Sequence, residues 1–278
     1  LTAILLTCST LIACNPQEIA SLHPNLEAAI REAISKPEGT LFLSDLESLS
    51  SLEASDRGIT DLSGLEYCTN LTELWLNTNQ ISDISPLISL TNLTKLVLDD
   101  NQISDISPLA PLANLTELWL NTNQISDISP LASLTNLAKL ALARNQISDI
   151  SPLTSLTNLT SLGLSENQIS DMSLLGTLTN LTVLNLATNQ ISDVSPLASL
   201  TNLTKLTLDG NQISDISPLA SLTNLTGLAL ARNQISDISP LISLTKLGGL
   251  WLRDNPLNET SMNVYIPLLR ERGVEVVH

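Results

Sequence analysis

An asparagine returns every 22 residues along this chain, at Asn79, Asn101, Asn123, Asn145, Asn167, Asn189, Asn211, Asn233 and Asn255. No other feature constrains the fold as tightly, because a fixed period of that size means one supersecondary unit copied and stacked. Around each asparagine lies the frame L-x-x-L-x-L-x-x-N-Q-I-S-D-I-S-P-L-x-x-L-T-N. A degenerate unit, Leu49 to Leu65, precedes these with Arg57 in the asparagine slot, so ten units span residues 49–255 of 278.

The chemistry of one unit explains its frame. In Glu73-Leu74-Trp75-Leu76-Asn77 the alternation predicts a short strand, with Leu74 and Leu76 inward and Glu73, Trp75 and Asn77 outward. Asn79 offers both a donor and an acceptor to backbone groups left unpaired where the chain turns. Ile81 and Ile84 return to the core. Ser85-Pro86 reads as a helix N-cap followed by proline at the first helical position, opening a brief turn that buries Leu87 and Leu90. What one unit buries falls short of the entropy of ordering its residues, so units must stack, pairing strands in parallel.

This frame is identified as the leucine-rich repeat. The resemblance implies an α/β solenoid, a right-handed superhelix with a concave parallel β-sheet and a convex side of 3₁₀ or irregular turns. Leu26, Ala29, Ile30, Ala33 and Ile34 fall at helical spacing before the repeats, and Ser44 with Glu47 fits a capping box for a second short helix. Residues 23–48 therefore read as a helical N-terminal cap. After Asn255 the frame breaks, and residues 256–278 read as a C-terminal cap, an amphipathic helix from Glu259 to Arg272 and a last strand from Val274 to Val277. The cap helix, the segment Asp56-Arg57-Gly58-Ile59-Thr60-Asp61-Leu62 and the repeated N-Q-I-S-D-I-S-P-L resemble bacterial internalin-like proteins. That resemblance implies a surface protein that recognises its ligand through the concave face.

The N-terminal segment reads as an address. Leu1 to Cys14 is apolar and of signal-peptide rather than membrane-spanning length, and polarity rises at Asn15. Leu11-Ile12-Ala13-Cys14 resembles the lipobox of bacterial lipoproteins, which implies a diacylglyceryl group on Cys14 as the mature N-terminus. The expected organisation is a signal peptide at 1–13, lacking an initiator Met and a basic start and so read as truncated, then a tether at 14–22. A lipid anchor would then be the only membrane attachment, holding the protein extracytoplasmically. The anchor differs from the cell-wall sorting signal of internalins, and no immunoglobulin-like segment follows the repeats.

Composition narrows the function. Twelve basic residues against twenty-eight acidic ones give a net charge of −16, which repels nucleic acid and anionic membranes. Sixty leucines and 2% aromatics describe an aliphatic, repetitive core. Two histidines, His23 and His278, leave little material for histidine-based catalysis or a metal centre, so no enzyme, cofactor or metal is expected. Nine aspartates in register, Asp61 to Asp237, read as turn acceptors, since one carboxylate per turn lacks the oxygens calcium needs. Cys68 occupies a leucine slot and reads as core.

A binding function must lie on the outward strand positions, the ones free to vary. The candidates are Trp75 and Trp119, two strands apart in the central column. Beside them stand Glu73, Lys95, Glu117 and Lys139, charges that can pair across strands. A third column holds Asn77, Asp99 and Asn121, with Asp100 and Arg144 at the strand exits. The C-terminal half of the face thins to Ala187, Gly227, Ala229 and Ala231. The expected partner is a protein or glycan ligand; the alternative is a structural spacer with no ligand of its own.

Overall fold

A computed structural model describes residues 17–19 and 22–278. The signal segment and Cys14 lie outside the described residues, as does most of the tether. Eleven strands form one parallel sheet in chain order: β1 Ser51–Glu53, β2 Glu73–Trp75, β3 Lys95–Val97, β4 Glu117–Trp119, β5 Lys139–Ala141, β6 Ser161–Gly163, β7 Val183–Asn185, β8 Lys205–Thr207, β9 Gly227–Ala229, β10 Gly249–Trp251 and β11 Glu275–Val277. Neighbours pair without slippage, residue n opposite residue n + 22 from β1 to β10. On the opposite side short 3₁₀ turns such as Ser85–Ser89 and Ser129–Ser133 return the chain. The architecture is the expected leucine-rich repeat solenoid, its sheet on the concave side.

The core follows from the frame. Leu71, Leu74, Leu76, Ile81, Ile84, Leu87 and Leu90 are all buried, as are their counterparts in the following coils. Cys68 is fully buried in the leucine slot, and that burial, with Glu66 adding to it, pushes its thiol pKa up to about 12. It is a core residue.

Each slot asparagine ties its own coil to the one before. Asn123 Nδ2 donates to the carbonyls of Leu120 and Asn121 in its own turn and of Leu98 in the preceding coil. Its Oδ1 accepts from Ile103 N–H at 3.0 Å. The pattern recurs from Asn79 to Asn255. The Asn-Leu-Thr asparagines form a second ladder: Asn92 Nδ2 donates to Thr69 C=O and Asn114 Nδ2 to Thr91 C=O.

Two local expectations need correction. Ser85 is not an N-cap. It is the first residue of the 3₁₀ turn, and the Asp83 carboxylate accepts its N–H at 2.8 Å. All nine register aspartates make this contact with the serine two residues on. The Ser44/Glu47 box is replaced as well. Helix α2 spans Leu43–Glu47 with Phe42 as its N-cap, two residues earlier than expected, and is closed by Asp45, whose carboxylate accepts Phe42 N–H at 2.8 Å.

Helical elements flank the coils at both ends. Helix α1, Pro24–Ala33, buries Leu26, Ala29 and Ile30 against the first coil, while Ala33 is exposed. The C-terminal helix contains a π segment, Ser261–Tyr265, leading into α3, Ile266–Glu271. Ile266 N–H reaches back five residues to Ser261 C=O, and Pro267 next to it has no N–H to give. Among the described residues no helix is long and apolar enough to cross a membrane.

Candidate functional site

Parallel register lines up the predicted residues in columns across β2 to β5. In the first column Glu73, Lys95, Glu117 and Lys139 are consecutive partners. Lys139 Nζ lies 2.8 Å from Glu117 Oε1 and Lys95 Nζ 3.9 Å from Glu117 Oε2. The Lys139 hydrogen bond holds the Glu117 carboxyl below its ordinary value. Lys95 also stands over the indole of Trp75, 5.2 Å from the ring centroid. Glu73 has no ion pair among the described residues.

The central column carries Trp75, Val97 and Trp119, all half-buried, with the two indoles two strands or about 10 Å apart. Trp119 Nε1 is shielded from solvent and has no acceptor. Lys95 thus links Trp75 to the Glu117–Lys139 pair, and the set forms one connected patch.

The third column sits differently. Asn77, Asp99 and Asn121 lie half-buried with their side-chain oxygens turned sideways into the neighbouring coil. Asn77 Oδ1 accepts the Ser55 hydroxyl at 2.6 Å, Asp99 Oδ1 accepts Asn121 N–H at 2.7 Å, and Asn121 Oδ1 accepts Ala143 N–H at 2.8 Å. Burial raises the Asp99 carboxyl, the Asn121 hydrogen bonds opposing it. These side chains are occupied with the scaffold and form the wall of the patch. At the strand exits Asp100 and Arg144 are exposed, and Arg144 Nε pairs with Glu166 at 2.9 Å. Arg144 therefore leans toward the next coil rather than toward Trp119's column.

Residue-by-residue reading missed a hollow at the other end of the face. It measures about 320 Å³ and is lined by Lys205, Thr207, Gly227, Ala229, Gly249 and Trp251. The signal was present as a run of small residues, which sounds like an empty face in sequence and becomes a concavity once Trp251 bounds it.

Among the described residues no group of three or more His, Cys, Asp or Glu side chains is arranged to hold a metal ion. The aspartate series is engaged by serine N–H groups instead.

Comparison with known proteins places this geometry. The model of the leucine-rich repeat family, in two-copy units, matches residues 43–89, 91–133, 135–177, 157–199, 179–221 and 201–243. An internalin (inlF) from Listeria monocytogenes is 36% identical with a TM-score of 0.68, over 96% of this chain and 92% of that one. An internalin C2 (inlC2) from the same species is 40% identical with a TM-score of 0.61, over 81% and 90%. The functional domain of InlJ from Listeria monocytogenes, which includes a cysteine ladder, has a TM-score of 0.72 at 25% identity, over 91% of this chain and 59% of that one. No curated protein matches the chain.

Proposed function

Because this chain belongs to the leucine-rich repeat family and is internalin-like, we propose that it is a non-enzymatic recognition module. It binds a protein or glycan through the concave strip from β2 to β5. The observation that carries this reading is the connected patch Trp75–Lys95–Glu117–Lys139 with Trp119 beside it. Aromatic anchors on a rigid sheet, fixed before the partner arrives, lose little freedom on binding. Asp100 and Arg144 lie at its rim, where charge governs encounter more than affinity. Glu73, without an ion pair among the described residues, is the acid at this patch for a basic group on the partner. Pull-down from native cell surfaces tests it. Trp75→Ala with Trp119→Ala removes the captured partner, whereas undiminished capture contradicts the patch.

The same reading includes the address. Cys14 carries a lipid that anchors the module on the outer side of a bacterial membrane. A lipid chain contributes about 0.8 kcal/mol per buried CH₂. Cys14→Ser moves the protein from the detergent fraction to the soluble one, and an unchanged partition removes the anchor.

One observation favours a spacer. Glu73-Leu74-Trp75-Leu76-Asn77 and Glu117-Leu118-Trp119-Leu120-Asn121 are the same pentapeptide, as duplication leaves without selection for a ligand. That reading predicts no saturable partner in the same pull-down.

A further inference from the structure

The hollow at the C-terminal end of the sheet is independent of the tryptophan patch on β2 to β5 and has a chemistry of its own. Its floor is made by Gly227 and Ala229 of β9 and Gly249 of β10. A Cβ built on Gly227 would meet nothing within 4 Å, so the floor is open to solvent. At Gly249 a Cβ would come within 2.8 Å of Trp251 Cη2 and 3.1 Å of Cζ3. The indole of Trp251 is therefore folded back along its own strand over Gly249. Even so, Trp251 is 41% exposed, so a wide part of this ring faces the solvent.

Opposite the ring, two strands or about 10 Å away, stands Lys205 of β8. It is exposed, and no carboxylate pairs with it among the described residues. Lys139, in the same column on β5, is by contrast tied to Glu117. Thr207 adds a hydroxyl beside the hollow, and the nearest acid in the Lys205 row is Glu275 on β11, beyond Gly249. The charge map agrees. Residues 205–278 hold six of the twelve basic residues but only seven of the twenty-eight acids. In a chain with a net charge of −16, this end is where an anion meets least repulsion.

A shallow, flat-floored hollow of about 320 Å³ suits a flat ligand more than a protruding peptide side chain. A laid-down indole stacks against the C–H face of a pyranose ring, and a lone ammonium across from it takes a carboxylate on that ring. We infer that the hollow between Lys205 and Trp251 is a binding site for an acidic saccharide, a pyranose bearing a carboxylate. Trp251 is the stacking surface, Lys205 the charge that selects acid over neutral sugar, and Gly227 the space the ring occupies.

Isothermal titration of the full chain with a trisaccharide of galacturonic acid, against the neutral galactose trisaccharide, tests this. The acidic sugar saturates and binds about tenfold or more tightly than the neutral one, a preference that weakens with added salt. Lys205→Met brings the acidic sugar down to the neutral level. Gly227→Leu, whose side chain enters open space and leaves the melting temperature unchanged, abolishes binding of both. Trp75→Ala with Trp119→Ala leaves the titration as it was, which separates this site from the patch on β2 to β5. The inference is overturned if the acidic trisaccharide shows no saturable binding, if Gly227→Leu binds it undiminished, or if an oligoglutamate peptide binds at this hollow in its place.

Discussion

Asn123 is bonded to carbonyls on two successive coils and to the Ile103 N–H of the earlier one, so its removal strands groups on both. Leaving one buried polar group unpaired costs about 1–3 kcal/mol, and Asn123→Ala is expected to lower unfolding free energy by about 2–3 kcal/mol in urea titration. This role was legible in sequence, because the side chain recurs at every strand exit and an amide can both donate and accept there. The residue just before it was not. Asp56, Thr78, Asp100, Thr122, Arg144, Glu166, Thr188, Gly210, Arg232 and Asp254 all have positive φ, between 53° and 67°. Gly210 and, to a lesser degree, the three aspartates are of types found in that region, but the threonines, arginines and glutamate are not, so the composition of the slot did not announce a left-handed turn. A Cβ at Gly210 would also come within 3.2 Å of Thr188 Oγ1. Gly210→Ala is expected to cost about 1 kcal/mol, read as a fall in the urea midpoint with unchanged slope.

The turn after each strand is set by an aspartate rather than by the Ser-Pro pair that draws the eye. Ser-Pro is a helix-start signature, but here Asp83 and its counterparts already hold the serine N–H, leaving the serine inside the turn. These carboxylates make stability depend on pH. Those of Asp105, Asp127, Asp171 and Asp215 lie below their ordinary value because a serine N–H donates to each. A carboxyl with a folded pKa below its unfolded one, about 3.9, stabilises the fold above that pH and loses this as pH falls through the folded value. Asp127→Asn keeps the acceptor without the titration, so its melting temperature falls less steeply than the parent's below pH 4. Asp99 has the opposite sign. Burial raises its carboxyl, so its charge opposes folding at neutral pH and protonation relieves that on acidification. Asn121 already shows an amide oxygen accepting the next coil's N–H in this column. Asp99→Asn therefore melts no lower than the parent at pH 7 and declines more steeply in acid. Periodicity revealed the outward column but not that its members turn sideways into the scaffold, because side-chain direction at a strand exit depends on which N–H groups the next coil leaves free.

At the scale of the whole molecule, the uninterrupted n to n + 22 register means that coils are interchangeable as units and indivisible below that size. Deleting residues 181–202, one full period, leaves Leu203 where Leu181 stood and preserves both ladders. The shortened protein is expected to fold, with a calorimetric enthalpy lower by about 15 kcal/mol near 60 °C. Deleting only half of that segment places polar residues in leucine slots and abolishes cooperative melting. The stack of coils was legible from the frame alone, whereas the hollow near Trp251 was not, since empty space is made by neighbours rather than written at any one position. The proposed function puts the partner on the sheet side, between the two tryptophans of β2 and β4. A photo-reactive residue placed at Val97 tests it most directly, with a second at Ile88, which is 55% exposed on the 3₁₀ turn of the opposite face. Illumination on native surfaces is expected to yield a partner adduct from position 97, competed away by unlabelled protein, and none from position 88. Adducts from position 88 alone, or equally from both, would contradict it.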